Sequence, residues 1–254
     1  MELKRIDSEH NERFKNWKKL KDKKYRDRFG ELLVEGTVVV EEIYREGYVK
    51  EILIDDEKLH LAEKFEDKDV PVTVLKHSLF EQLTSTETSQ GIIARCRHFI
   101  RDLKEFPPKG KFLYTDGVQD PGNLGGMIRS AEAFHFDGIL LGKGTVDPGN
   151  DKCVRSSMAS AFRVPMAKIS DDDLKKLHEN MSFYGLDIRG CDIGRDLTTE
   201  ENLVLIVGNE ARGLREETQE IVDHMLRIPM KGTIDSLNAN VATSIAMFMI
   251  GGIK

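Results

Sequence analysis

The chain has 254 residues, of which 39% are hydrophobic and 32% are charged, and its formal net charge is −6. This composition is typical of a globular protein and is sufficient for one large domain or two modest ones. No apolar run reaches the roughly 20 residues of a membrane-spanning helix. The N-terminus also lacks the apolar core of a signal peptide, so we expect a cytoplasmic protein without membrane contact.

The residues that commonly bind metals show no metal-ligand spacing. Cys96, Cys153 and Cys191 are far apart, and the seven histidines form no H-x-x-x-H pair with a third ligand. Three is an odd number, so the cysteines cannot all pair within one chain. We expect reduced thiols and no metal.

A dense basic segment near the N-terminus offsets the acidic total. Nine basic residues lie between Arg13 and Arg28, against Asp22 and Asp27. Such a stripe can contact phosphates even on an acidic protein. From charge alone, a solvated helix face is the favoured interpretation.

The first hundred residues alternate between strand and helix patterns, which predicts a small α/β domain over residues 1–100. The predicted helices cover 7–29, 37–46, 58–68 and 78–83, the last with a serine cap, and the predicted strands cover 32–35, 50–55, 70–75 and 91–96. Residues 101–111 are charged and contain Pro107-Pro108, so they are predicted to be a linker.

Residues 112–254 show regular βα alternation with continuously apolar strands, which predicts a parallel sheet covered on both faces. The predicted strands are 112–115, 138–141, 182–187, 203–207 and 226–228, with a short extended piece at 163–166. The predicted helices are 124–134, 153–161, 170–180, 214–222 and 239–250.

Three polar blocks follow predicted strands of this second domain, at 116–134, 203–214 and 228–242. Ligands of doubly wound sheets bind beyond the carboxyl ends of the strands. The first block carries Asn123 and Arg129, the second carries Glu210 directly after an apolar strand, and the third carries Ser236 and Asn238 before an apolar helix. Taken singly, the first block is explained as a turn with a surface arginine and the third as a capped helix, whereas Glu210 is explained equally as a charge at a helix N-terminus and as a site residue.

Together and in this order, the three blocks resemble the signature motifs of the SpoU (TrmH-type) 2′-O-ribose RNA methyltransferases, a family of the SPOUT class. Upstream, Lys23-Lys24-Tyr25-Arg26, Leu33-Val34-Glu35-Gly36 and the run from Ser85 to Ala94 resemble the RNA substrate-binding domain that often precedes such catalytic domains. The first resemblance covers about the last 145 residues. The N-terminal motifs are less specific than the three C-terminal blocks.

The resemblance implies S-adenosylmethionine (AdoMet) as cofactor, a C-terminal trefoil knot, a homodimer and an RNA substrate, with ribosomal RNA favoured. It places catalysis on Asn123, Arg129, Glu210, Ser236 and Asn238, and cofactor contacts on the backbone of Gly208, Ile228 and Leu237. Arg129 would help the ribose hydroxyl lose its proton or would anchor a phosphate, and Glu210 and Asn238 would support Arg129. The apolar last helix is explained equally by a dimer face and by core packing.

The chain departs from the family pattern at several positions. Ala211 and His135 stand where the family commonly has glycine, as does Ala159, and Asn240 stands at a common serine. A side chain at position 211 is costly if φ is positive there. Arg155 resembles a family position that reaches phosphate, but an ion pair with Asp151 explains it equally.

Three other functions compete with a ribosomal RNA methyltransferase. A transfer RNA methyltransferase is the nearest, and a non-catalytic RNA-binding protein on the same scaffold is a second, which calorimetry with AdoMet would separate from an enzyme. A nucleotide-binding enzyme of another chemistry is disfavoured, because the first block is neither a G-x-G-x-x-G fingerprint nor a Walker loop.

Overall fold

The computed structural model describes residues 4–65, 70–194 and 201–251. These residues divide into two units: one contains residues up to His98 together with 149–155, and the other contains 99–148 and the chain from Ser156 onward. Within the described ranges, no helix is both long enough and apolar enough to cross a membrane.

The N-terminal unit is built on a mixed five-stranded sheet of order β1-β4-β3-β5-β2. Its strands are β1 (Lys4–Ile6), β2 (Glu31–Glu35), β3 (Val49–Asp55), β4 (Val72–Leu75) and β5 (Ile92–Arg97), and its helices are α1 (Glu12–Lys19), α2 (Lys23–Phe29), α3 (Thr37–Arg45) and α4 (His77–Leu83). Phe14 and Trp17 of α1 pack with Leu79 and Phe80 of α4 over one face of this sheet. The predicted α/β alternation is therefore observed.

Three local predictions for this unit were wrong. The single helix predicted over 7–29 is two helices, because Asp22 accepts a hydrogen bond from the backbone of Lys24 and starts a new helix there. Helix α4 begins at His77, so Ser78 is not its cap. The charged helix predicted over 58–68 is a kinked 3₁₀ segment, Asp56–Phe65, and residues 66–68 lie outside the described ranges.

The C-terminal unit contains a six-stranded sheet of order β11-β9-β10-β6-β7-β8 in which every pairing is parallel, as predicted. Its strands are β6 (Lys111–Asp116), β7 (Gly138–Leu141), β8 (Met166–Lys168), β9 (Ser182–Asp192), β10 (Leu203–Gly208) and β11 (His224–Arg227). Its helices are α5 (Pro121–Ala133), α6 (Asp151–Ser157, shared with the other unit), α7 (Ser160–Arg163), α8 (Asp171–His178), α9 (Glu216–Gln219) and α10 (Ala239–Gly251).

The register of this sheet places the first two polar blocks side by side. Strand β10 is buried along its whole length, and its last residue, Gly208, pairs with Asp116, the last residue of β6. The loops that begin at Asp116 and Gly208 therefore leave the same edge of the sheet at neighbouring points. This is the position at which ligands of open parallel sheets bind.

Several C-terminal elements differ from prediction. The helix predicted over 214–222 is a single turn, α9, and the helix predicted over 153–161 is divided into α6 and α7. Strand β9 is longer than predicted, and its register with β11 jumps between Met225 and Leu226, so that residues 186–190 leave the ladder.

The predicted linker contains structure of its own. Asp102 and Glu105 form a capping box around a short 3₁₀ turn, and Leu103 and Phe106 pack against the core of the C-terminal unit. Lys111 already belongs to β6.

His135, where the family commonly has glycine, adopts a left-handed backbone with φ of 54°. It follows the last residues of α5, where the backbone of His135 donates to Glu132 and that of Phe136 donates to Ala131. This is the hydrogen-bond pattern of a Schellman helix end, in which a residue with positive φ is required and glycine is preferred.

We therefore expect His135→Gly to raise the free energy of unfolding by roughly 0.5 kcal/mol, because it removes the steric cost of a Cβ at positive φ. Urea denaturation measures the change. His60→Gly is the matched control, since His60 lies in the 3₁₀ segment without a positive φ and should lose stability. A loss of stability in both variants would contradict the argument.

Candidate active site

The first block is organised by the start of helix α5. Strand β6 ends at Asp116, and Asp120 caps α5 by accepting a hydrogen bond of 2.8 Å from the backbone N–H of Asn123. Pro121 occupies the first turn, where its missing N–H costs nothing. The side chain of Asn123 is thereby fixed in the first turn of the helix, beside the loop.

Glu210, from the second block, binds this loop directly. One carboxylate oxygen accepts hydrogen bonds from the backbone N–H of Asp120 and from Nδ2 of Asn123, each 3.0 Å long. The other oxygen accepts from the backbone N–H of Gln119 at 3.1 Å. Burial opposes ionisation, but these bonds prevail and lower the pKa of Glu210. Glu210 is therefore an ionised carboxylate whose partners are all donors.

Asn238, from the third block, completes a chain of hydrogen bonds through Asn123. Its Nδ2 donates to Oδ1 of Asn123 at 2.9 Å, while its own Oδ1 accepts from the backbone N–H groups of Asn240 and Val241 at 2.9 and 3.3 Å. Asn238 is thus the cap of α10, as predicted, and it also joins the third block to the first. The hydrogen bonds between Glu210 and Asn123 and between Asn123 and Asn238 link all three blocks.

Helices α5 and α10 approach each other closely because residue 126 is a glycine. A Cβ at Gly126 of α5 would lie 2.3 Å from Nδ2 of Asn240 on α10. One turn further along, the hydroxyls of Ser130 and Ser244 lie 2.7 Å apart. Asn240, which replaces the common serine, thus fills the contact between α5 and α10.

An open cleft of about 1080 Å³ lies beside the chain of hydrogen bonds. Its lining includes all three predicted cofactor residues, Gly208, Ile228 and Leu237, and three of the predicted catalytic residues, Glu210, Ser236 and Asn238. Ser236 is exposed at this cleft and does not cap α10, because the backbone groups it was expected to bind are taken by Asn238. Two distant segments, after β10 and after β11, therefore form one cleft.

Arg129 stands apart from the other predicted catalytic residues. It is exposed on α5, six residues after Asn123, which places it about 120° away around the helix. Within the described part of the chain its side chain makes no hydrogen bond or ion pair. The support expected from Glu210 and Asn238 is not observed, because both side chains bind Asn123 instead.

Sequence reasoning missed a partly buried network of charged groups at the end of β6. The Asp116 carboxylate is fully buried and accepts hydrogen bonds from the backbone and the guanidinium of Arg215. The same guanidinium donates to Tyr114 at 3.0 Å and to Asp171 at 2.7 Å. Burial, reinforced by the Asp116 charge, raises the pKa of Tyr114 to about 12. The network anchors the residue after the second block to the end of β6.

Asn209 ties the second block to the first and was also missed. Its Nδ2 donates to the carbonyl of Gly117 at 2.9 Å, and its Oδ1 accepts from the backbone of Ala211 and Arg212. The backbone of Ala211 is not in the left-handed region, whereas Gly213 has φ of 71°. The loop thus accommodates alanine at position 211 by placing its positive φ at Gly213.

Two pairs of charged residues come from β9, from the segment that leaves its ladder and from β11. Asp187 accepts two hydrogen bonds from the Arg189 guanidinium, each 2.9 Å long, and Asp192 pairs with Arg227. All four residues line the cleft. A carboxylate followed two residues later by arginine at the end of a predicted strand was the available signal, but it is common at strand ends.

Arg155, for which two interpretations stood open, donates to the Ser85 hydroxyl at 2.7 Å within its unit. Its charge also acts on Asp151, whose pKa is raised by burial despite the favourable charge of Arg155. In the described ranges, no group of three or more histidine, cysteine, aspartate or glutamate residues could hold a metal ion.

Comparisons with known proteins agree with this arrangement. Residues 111–248 match the SpoU rRNA methylase family, and residues 11–94 match the MRM3-like substrate-binding domain. The chain is 36% identical to the 23S rRNA (guanosine(2553)-2′-O)-methyltransferase RlmP of Bacillus subtilis, over 98% of this chain and 100% of that protein. It is 30% identical to the 23S rRNA (guanosine-2′-O-)-methyltransferase RlmB of Coxiella burnetii, over 80% of this chain and 85% of that protein.

Several solved structures resemble this chain over nearly all of its length. The AdoMet-bound rRNA methyltransferase of Sinorhizobium meliloti superposes with a TM-score of 0.85 at 27% identity, covering 98% of this chain and 97% of that one. AviRb of Streptomyces viridochromogenes, a SpoU methyltransferase in complex with AdoMet, also gives 0.85, at 25% identity, covering 95% and 97%. With its three blocks hydrogen-bonded to one another and its full-length match to such a relative, the chain belongs to the SpoU rRNA methylase family.

Proposed function

We propose that this protein transfers the methyl group of AdoMet to a ribose 2′-hydroxyl of 23S ribosomal RNA. The observation that carries the proposal is the hydrogen-bonded chain Glu210–Asn123–Asn238 beside the cleft that contains Gly208, Ile228 and Leu237. The relatives RlmP and RlmB, named as 23S rRNA 2′-O-methyltransferases, support the choice of substrate.

The cleft suits AdoMet in both shape and charge. Ile228 and Leu237 offer apolar surface, and Gly208, although buried at the end of β10, lines the cleft without a side chain. Asp235 supplies a carboxylate that complements the cationic sulfonium and ammonium groups, whereas Asp187 and Asp192 are already paired with Arg189 and Arg227. When bound, AdoMet supplies an activated methyl group, and the protein must hold a nucleophile in line with it.

The Glu210 carboxylate is not the base that removes the proton from the ribose 2′-hydroxyl in this proposal. Both oxygens of Glu210 are occupied by donors and its pKa is lowered, so it is a poor proton acceptor at neutral pH. Its role in the proposal is to fix the amide of Asn123. With Nδ2 held by Glu210 and Oδ1 held by Asn238, Asn123 keeps the first loop in one conformation beside the cleft.

Arg129 is proposed to act on the RNA. An arginine remains protonated in proteins, so an exposed guanidinium without internal partners can bind the phosphate next to the target ribose and stabilise the developing alkoxide. A phosphate oxygen held there would accept the proton of the 2′-hydroxyl. Ser236, exposed at the cleft, is proposed to contact the substrate side of the site.

The knot, the homodimer and cytoplasmic residence also belong to the proposal. The knot is proposed because the family resemblance implies it. A dimer is supported by α10, where Val241 and Phe248 are 44% and 45% exposed although both are apolar.

Mapping of 2′-O-methyl groups in RNA from cells with and without the gene tests the substrate. Loss of one site in 23S rRNA, restored by purified protein and AdoMet, is expected. Loss of a methylation site in transfer RNA would instead identify transfer RNA as the substrate. No lost site, together with no heat of AdoMet binding in calorimetry, would favour the non-catalytic RNA-binding protein.

We expect Arg129→Ala to preserve AdoMet affinity and melting temperature while lowering kcat/KM at least roughly 100-fold, as removal of one charge-stabilising group does elsewhere. Arg129 makes no internal bond among the described residues, so the fold should be indifferent to its loss. Methyl incorporation into 23S rRNA measures activity, and Arg101→Ala, at another exposed arginine, is the control. Retained turnover in Arg129→Ala would remove Arg129 from the chemistry.

Asn238→Asp separates the two roles of Asn238. Aspartate still caps α10, so the free energy of unfolding should stay within about 0.5 kcal/mol of the parent. It cannot donate to Oδ1 of Asn123, which cannot turn because Glu210 holds its Nδ2.

Activity of Asn238→Asp should therefore fall by roughly 10-fold or more, the scale of a lost hydrogen bond at a charged network. Asn238→Ala, which also removes the cap, should lose about 1 kcal/mol of stability in addition. If Asn238→Asp retained full methyl transfer, Asn238 would be a helix cap alone.

A further inference from the structure

Helix α2 of the N-terminal unit carries two aromatic rings on one face. Tyr25 and Phe29 are four residues apart, and their ring centroids lie 5.9 Å apart with planes inclined by 31°. Phe29 is 40% exposed, and Tyr25 is partly exposed. We call this pair the aromatic platform. An exposed phenylalanine beside a second ring, on a helix that is otherwise charged, is not explained by packing of the core.

Cations surround the platform. The ammonium nitrogens of Lys19 and Lys24 each lie 6.0 Å from the centre of the Tyr25 ring, and the guanidinium carbon of Arg28 lies 5.9 Å from that of Phe29. Arg28 is exposed, and its side chain makes no hydrogen bond or ion pair with any residue that the structure describes. Aromatic faces interleaved with lysine and arginine are the surface on which single-stranded nucleic acids stack.

A groove of about 500 Å³ opens next to Phe29. Its wall contains Asn16, Trp17 and Arg28, and its two carboxylates are neutralised within the unit. Glu51 is paired with Arg13 and Arg95, and Glu31 is paired with Arg95 and Lys50. The groove therefore does not repel an anion, and its volume is sufficient for a single nucleotide.

Five of the nine basic residues of this segment have hydrogen-bond or ion-pair partners in the fold: Arg13 pairs with Glu51, Lys18 binds Gln82, Lys19 binds Asn16, and Lys21 and Arg26 bind backbone carbonyls. Lys24 and Arg28, which are exposed beside the platform, lie over aromatic rings. Lys24 and Arg28 are therefore the cations of this segment that we consider for contact with a phosphate.

We propose that an unpaired nucleotide of the RNA substrate stacks its base on Tyr25 and Phe29 while Lys24 and Arg28 bind the flanking phosphates. This inference rests on the proposed function and assigns it an RNA contact outside the methyl-transfer cleft. A duplex does not fit the same surface, because its base faces are already stacked and closed to the platform. Any unpaired base presents a face to the rings, so the contact selects single strands more than sequence.

The test compares binding of the full chain to a short unstructured RNA and to a duplex of the same sequence, by fluorescence anisotropy. Phe29→Ala should weaken single-strand binding roughly 10-fold, within the range known for loss of one base–aromatic stack. Phe29→Leu, which keeps an apolar side chain without a ring face, should weaken it similarly, and Phe29→Trp should restore it. Leu59→Ala, at another exposed apolar side chain of this unit, should change nothing.

Salt dependence separates stacking from phosphate binding. Arg28→Gln should reduce the slope of log affinity against log salt by roughly 0.7, the value for one phosphate contact on a single strand. Phe29→Ala should leave that slope unchanged while lowering affinity at every salt concentration. The two variants are thus distinguished in one experiment: Arg28→Gln changes the salt dependence of binding, and Phe29→Ala changes the affinity alone.

Several results would overturn the platform. Phe29→Leu binding as tightly as the parent would show that only apolar bulk matters, and a change in oligomeric state on Phe29→Ala would identify a self-association surface. Unchanged RNA affinity of Phe29→Ala with normal methylation by the parent would refute the platform alone. Absence of methylation by the parent, with Phe29-dependent RNA binding intact, would refute the proposed function and leave the platform standing.

Discussion

The Glu210 carboxylate is the group on which the site depends. It lies at the end of a fully buried strand, and the residues that face it, Gln119, Asp120 and Asn123, all donate hydrogen bonds to it. Because those donors belong to a loop about ninety residues earlier, one charge fixes the relation between two distant segments. Asn123 in turn accepts a hydrogen bond from Asn238, which connects both segments to the start of the last helix.

The parallel sheet makes this arrangement possible. Adjacent strands β6 and β10 end in register at Asp116 and Gly208, so their loops begin side by side. Asp116 is fully buried and binds Arg215, which closes the second loop against the same strand end from below. The cleft is thus held by hydrogen bonds to ionised groups, which are about twice as strong as those between neutral groups. Such a frame can orient a substrate without moving during the reaction.

The sequence was informative where a pattern reflects a local physical need. Continuous apolar runs predicted the parallel sheet. Polar residues after strands pointed to Asn123, Glu210 and Asn238 as candidate site residues, and the structure joins these three by hydrogen bonds. It was uninformative where tertiary contacts decide: the helix predicted after Leu214 is one turn, and the first long helix is interrupted because Asp22 caps a second one. The partners of Arg215 come from three separate segments, so no spacing reveals them. Glu210 and Asn238 were expected to support Arg129, but both side chains bind Asn123.

A double-mutant cycle on Asn123 and Asn238 tests the central interaction most directly. The kcat/KM for methyl transfer to 23S rRNA is measured for Asn123→Ala, Asn238→Ala and the double variant. If the two amides act as one unit with Glu210, the double variant should be little worse than the worse single variant, with a coupling of roughly 1 kcal/mol or more. Strictly additive losses would show that the two residues act independently and would contradict this account of the site.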